Sequence, residues 1–143
     1  MADLVVRTYD PKLVIAVLGV VQISGFMPGT FISIERNGEL FTKVRGADGN
    51  VDRVNKSAHD FKVTFTLKQV SPVNAILSGL AMADAVSNTG ILPLIIRDAG
   101  GTSLFVAASA WIAADPSGEF SDEMSARTWV IETGIGSHLV GGN

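Results

Sequence analysis

Apolar and polar residues alternate without exception from Phe61 to Lys68, with Phe61, Val63, Phe65 and Leu67 on one side and Lys62, Thr64, Thr66 and Lys68 on the other. A period of two sustained over this length predicts a half-buried strand. Just beyond it, Ser71 offers an N-cap oxygen and Pro72 suits a first helical position, where a missing N–H costs nothing. Val73, Ile76, Leu77 and Leu80 then recur at three- and four-residue spacing, which predicts a helix with one apolar stripe lying against a sheet. Ser87-Asn88-Thr89-Gly90 supplies its stop.

The remaining pattern is that of strands and turns. Leu13 to Gly25 is rich in Val and Ile and reads as one strand bent or bulged at Gly19. In TFISIERNGELFTKV, two β-prone segments flank Asn37-Gly38, which predicts a hairpin on that dipeptide. Ile32 and Ile34 share one face of its first strand, and Phe31, Ser33 and Glu35 the other. Residues 46–60 read as a long inter-strand loop, ADPSGEFSDEMS as an exposed one, and ILPLIIRDAGG, TSLFVAASAWIAA and ARTWVIETG as strands. Residues 1–12 read as an N-terminal arm and 135–143 as a flexible, Gly-containing tail. The sum is about seven strands and one helix in a single domain spanning 1–143: a mainly β (α+β) fold, a sandwich or small barrel with a flanking α-helix.

Composition narrows the function. Charged residues make up 17% of the chain, below the roughly 25% usual for soluble domains, so part of the surface is expected to be covered by partners. A net charge of −3 argues against a binder of the phosphate backbone, which needs a basic field. The absence of cysteine removes disulfides, thiolate catalysis and Cys-ligated zinc together. The longest apolar run, LVIAVLGVVQI from Leu13, falls short of the ~20 residues a membrane helix needs, so no membrane insertion is expected.

Catalytic signatures are missing as well. His59 and His138 sit in predicted loop or tail and read as surface residues, and no nucleophile elbow, Walker loop, zinc-protease helix or dinucleotide fingerprint occurs. Asp48, Asn50 and Asp52 have the opening spacing of a calcium loop, but Arg53 and His59 stand where such a loop needs Gly and Glu, and strands flank it. A plain Asp48-Gly49 turn is the better reading. Trp111 and Trp129 lie in predicted strands and suit core or interface packing. The chain is therefore read as a non-enzyme without metal or cofactor.

The ordered succession FISIER, RGADGNVDR, TFTLKQVSPVNAIL, IIRDAGGT and AWI resembles the tail tube proteins of contractile-tailed bacteriophages, over a span from about Asp10 to the terminal GGN. The resemblance implies a small β-sandwich with a flanking helix that forms hexameric rings, stacked helically into the inner tube of a phage tail in the virion. It implies as partners other copies of the chain, a tail sheath protein, and tape measure, baseplate and tail terminator proteins. DNA would pass through the bore without specific binding. Carried onto this chain, it makes Asp48, Gly49, Asp52 and Arg53 of the first Asp-Gly turn, and Asp98 of the second, candidates for inter-subunit contact. Ser71 and Asn74 match the strand-to-helix junction.

A bore for a polyanion should be neutral or acidic, so Glu35 and Glu39 are candidates to face it. Lys and Arg are then expected in subunit contacts. Two other readings remain open from sequence: a tube subunit of a bacterial contractile injection system, and a monomeric β-sandwich binding module.

Overall fold

The computed structural model describes residues 6–142. After a single 3-10 turn at Pro11–Leu13, the strands are β1 (Val14–Leu18), β2 (Val21–Ile23), β3 (Ile32–Arg36), β4 (Phe41–Arg45), β5 (Val51–Asn55) and β6 (Phe61–Lys68). Helix α1 (Val73–Ser87) follows, and then β7 (Leu92–Asp98), β8 (Leu104–Ala114), β9 (Ala126–Thr133) and β10 (Gly136–Leu139). The fold is mainly β: an antiparallel sheet of eight strands in the order β2-β1-β7-β8-β9-β6-β3, with β10 added beside β8, and a separate two-stranded sheet of β4 and β5.

Strand β6 has the alternation that the sequence predicts, and Phe61, Val63, Phe65 and Leu67 have no solvent exposure. They pack with Trp129 and Ile131 of β9, Phe105 of β8, Leu94 of β7 and Leu77 of α1 in one core. Full burial of each such side chain stabilises the fold by about 1.5–3 kcal/mol. Phe61 and Phe105 meet edge to face at 5.0 Å.

Helix α1 starts where expected. Ser71 Oγ accepts from Val73 N at 3.4 Å while donating to the Ser24 carbonyl at 2.8 Å, so one hydroxyl caps the helix and ties it to the chain leaving β2. Val73 and Leu77 are buried and Leu80 packs on the core, but Ile76 is turned outward with Met82 and Val86. Asn88 ends the helix in the left-handed conformation, and Asp84 Oδ1 accepts from Gly90 N beyond it.

Four expectations are corrected. Leu13–Gly25 is not one bent strand but the β1–β2 hairpin, with Leu18 opposite Val21. Gly19 alone in its two-residue turn takes positive φ, as a type II′ turn requires. Asn37-Gly38 joins no hairpin, because β3 pairs with β6 while β4 leaves for β5. Residues 46–60 are not one long loop: Val51–Asn55 is a strand, antiparallel to Phe41–Arg45. Residues 136–139 are not a loose tail but pair with Leu104–Ala107 of β8. Among the described residues these account for ten strands instead of seven. Of the predicted arm, residues 1–5 lie outside the described residues.

Candidate assembly surfaces

Both ends of the main sheet are free along one side. The order begins on β2 and finishes on β3, and among the described residues no strand pairs with their outer margins. On β3, the Phe31 carbonyl accepts from Thr66 N and the Asn37 amide donates to the Asp60 carbonyl. The intervening residues Ile32 and Ile34 thus direct their backbone groups to the unpaired side. Such a margin is a template for another chain. Beside it, a cleft of about 390 Å³ opens between Phe31, Ile32 and Ile34 on one wall and Ile96, Phe105 and His138 on the other.

His138 corrects a further expectation, for it is not a free surface residue. Its ring meets Phe61 and Phe105 edge to face at 5.7 and 5.8 Å. Burial, and secondarily the Arg36 guanidinium, push its pKa below the ordinary histidine value.

The β4–β5 hairpin stands outside the core. Every residue of β5 is exposed, and of β4 only Thr42 is partly covered. An isolated two-stranded hairpin is marginal in water. Its turn is well specified nonetheless. Gly49 N donates to the Gly46 carbonyl at 3.0 Å, Gly46 N to the Asn50 carbonyl at 2.8 Å, and Gly49 takes φ +88°. Both Asp48 carboxylate oxygens are used by Asn50, from its backbone N–H at 3.1 Å and its side-chain amide at 2.7 Å, so two of the three residues with calcium-loop spacing bind each other.

The base of the hairpin is pinned to the main sheet by Arg36 and Asn37. The Arg36 guanidinium lies 4.6 Å from the Phe61 ring centroid and donates to the Ala58 carbonyl. The Asn37 side-chain amide reaches Asp60 at 3.2 Å and Glu132 at 3.0 Å. This is why an Asn-Gly dipeptide that signals a turn in sequence is here a crossing point between sheets.

The sequence candidates therefore separate into four places. Asp48, Gly49, Asp52 and Arg53 all lie on the hairpin, and the Arg53 guanidinium stacks over Phe41 at 4.3 Å. Asp98, only 8% exposed, accepts from Gly100 N at 3.0 Å in the β7–β8 turn and lines the cleft beside Ile32 and Ile34 of β3. Glu35 is exposed on β3, in register with Lys62, which is in register with Glu132. Glu39 is apart from it, in the connection at the hairpin base. The sequence reading missed the hydroxyl-rich outer face that Ser33, Thr64, Thr66 and Thr128 form around this charged row, although the alternation in FKVTFTLK already contains half of it.

Among the described residues no group of His, Asp and Glu side chains is disposed to hold a metal ion, and no helix is long and apolar enough to cross a membrane. What the surfaces offer is backbone and side chains for protein contact.

That architecture is shared with components of contractile systems. The fold is similar to the sheath/tube terminator of an extracellular contractile injection system, with a TM-score of 0.67 and 14% identity over 95% of this chain and 99% of that one. It is likewise similar to a chain of the sheath-tube complex of such a system in its extended state, at a TM-score of 0.60 and 15% identity, covering 92% of this chain and 93% of the other. In sequence, residues 22–141 match the family described as the bacteriophage PhiTE tail tube protein, and the chain belongs to that family. A curated relative, structural protein ORF10 of Pseudomonas phage KPP10, is 35% identical over 123 residues, which is 85% of this chain and 71% of that protein. The protein is thus a phage tail tube protein, a structural and non-enzymatic component of the virion.

Proposed function

We propose that copies of this chain close into hexameric rings that stack helically as the inner tube of the tail, with DNA passing through the bore. The observation that carries this reading is the pair of free sheet margins. A subunit whose sheet starts on one unpaired strand and ends on another can pass β3 of each copy to the neighbour's sheet, a heterologous contact that closes when the rotation allows. The β4–β5 hairpin reaches an adjacent copy, where its exposed Phe41, Val44, Val51 and Val54 gain cover.

The outer face of β3, β6 and β9 suits the bore. Its hydroxyls offer no fixed charge, and Lys62 is flanked in register by Glu35 and Glu132, so a sliding polyanion meets no cluster of bare cations. Glu39, at the hairpin base, belongs to the contact region in this arrangement. A sheath protein, and terminator, baseplate and tape measure proteins, would meet the outside and the ends of the tube.

Negative-stain microscopy of purified protein at rising concentration tests the reading. Rings or tubes are expected, and a steady 15.0 kDa species contradicts them. Nuclease-protected DNA in particles purified from infected cells distinguishes genome delivery from transport of another cargo.

A further inference from the structure

We propose that the cationic face of the β4–β5 hairpin docks on the acidic Glu119–Met124 segment of another copy, so that one end of each subunit grips the opposite end of the next. The inference rests on the tube reading and names the two surfaces that join.

The hairpin register sorts its side chains onto two faces. Phe41, Lys43, Arg45, Val51, Arg53 and Asn55 share one; Thr42, Val44, Asp52 and Val54 share the other. The first face therefore carries three cations and no acid. Among the described residues none of these cations makes an ion pair; Arg53 only stacks on Phe41.

The segment EFSDEM between β8 and β9 is its complement. Glu119, Asp122 and Glu123 are exposed and make no ion pair among the described residues, and Phe120 between them is 88% exposed. Arg127 lies 6.0 Å from the Phe120 ring centroid and spends its guanidinium on Ser125 Oγ and the carbonyls of Glu119 and Ala126. Each patch thus joins three like charges to uncovered apolar side chains, with the signs opposed.

Topology keeps the two patches apart within one copy. The hairpin leaves β3 after Arg36 and returns at Phe61, whereas the acidic segment enters β9 at Ala126, in register with Lys68. Phe61 and Lys68 are the two ends of β6, roughly 20 Å apart at ~3.3 Å per residue. The hairpin ties to the Phe61 end through Arg36 and Asn37, and the acidic segment to the other end through Gln69, whose Oε1 accepts from Ser125 N. Charge complementarity between patches at opposite ends of β6 is met between copies, and such a head-to-tail contact runs on from copy to copy wherever its rotation does not close a ring.

Charge reversal on each pole tests the contact. Lys43→Glu with Arg53→Glu, and separately Asp122→Lys with Glu123→Lys, are each expected to raise the concentration needed for assembly by at least about tenfold. The chain carrying all four substitutions is expected to regain assembly. The substituted residues are exposed, so circular dichroism and melting should match the wild type. Because the chain has no cysteine, Arg53→Cys with Asp122→Cys should also give an oxidised ladder of covalent multimers. Wild-type tubes together with reversals that assemble normally, or a fourfold variant that stays dispersed, would overturn the contact alone. Tubes that survive hairpin reversal but lose sheath protein or DNA would assign that face to another partner and overturn it too. Wild-type protein that never assembles would overturn the tube reading and this contact with it.

Discussion

The indole N–H of Trp129 donates to Asn74 Oδ1 at 2.9 Å, joining the middle of β9 to the first turn of α1. The Asn74 amide in turn donates to the carbonyls of Lys68 and Gln69, at 2.9 and 3.4 Å, so one side chain holds strand, turn and helix together. Trp129 is almost wholly buried. Asn74→Leu would leave its donor and the two carbonyls without this partner, at a cost of about 1–3 kcal/mol. The melting temperature should fall by about 3–10 °C, read by circular dichroism of dispersed subunits; an unchanged value would show the junction to be dispensable.

Gly25 is the second point where the helix start meets the sheet. It has φ +76°, and a Cβ there would lie 2.5 Å from Ser71 Oγ and 2.7 Å from Ser71 Cβ. Gly25→Ala should therefore destabilise by more than about 2 kcal/mol, from backbone strain and from the collision. With Ser71→Gly alone as the reference for the lost Ser71 hydrogen bonds, adding Gly25→Ala to it should cost less than Gly25→Ala costs the wild type, since the clash is gone and the strain remains. An equal cost in both backgrounds, or none in the Ser71→Gly background, would contradict that division.

Phe41 separates folding from assembly. It lies on a hairpin with no part in the core, so Phe41→Ala should change the melting temperature of the dispersed subunit by less than about 2 °C. Tube formation should weaken by about tenfold or more, because the exposed ring is lost from the proposed contact and Arg53 loses the surface it stacks on. Sedimentation across a concentration series gives the second quantity, and a variant that assembles as well as wild type would place the hairpin outside the contact.

His138 predicts a pH dependence with a definite sign. Its folded pKa lies below its ordinary value of about 6.5, so below pH ~6.5 the unfolded chain binds the proton more readily. Its contribution is fully present above pH ~6.5 and is lost as pH falls from there through the folded pKa. As pH falls below about 6.5, the melting temperature of wild type should decline more steeply than that of His138→Phe. Parallel declines would mean that the cleft does not disfavour the charged ring.

The sequence carried the parts of the fold whose partners are near in the chain or whose burial is one-sided. FKVTFTLK alternates because one face of β6 meets the core, and SPVNAIL shows a cap because Ser71 acts within a few residues of itself. β5 was unreadable for the opposite reason: both faces of VDRVN are exposed in one copy, so its alternation has no apolar side. β10 was hidden because Gly136-Ser137-His138-Leu139 owes its strand to Leu104–Ala107, some thirty residues earlier. The Asn37-Gly38 signal misled because Asn37 is held by Asp60 and Glu132, contacts that local turn chemistry does not contain. Among the site candidates, Asp48, Gly49, Asp52 and Arg53 were found together because they are contiguous. The link between Glu35, Lys62 and Glu132 needed the strand order.

Cryo-electron microscopy of tubes assembled from the wild-type chain would show whether β3 of one copy completes the sheet of the next. The expected map shows a continuous β wall around a hollow axis, with the outer backbone groups of Ile32 and Ile34 in β3 hydrogen-bonded to a neighbouring copy. A map in which the β2 and β3 margins stay hydrated, or are covered by the subunit's own segments, would contradict it.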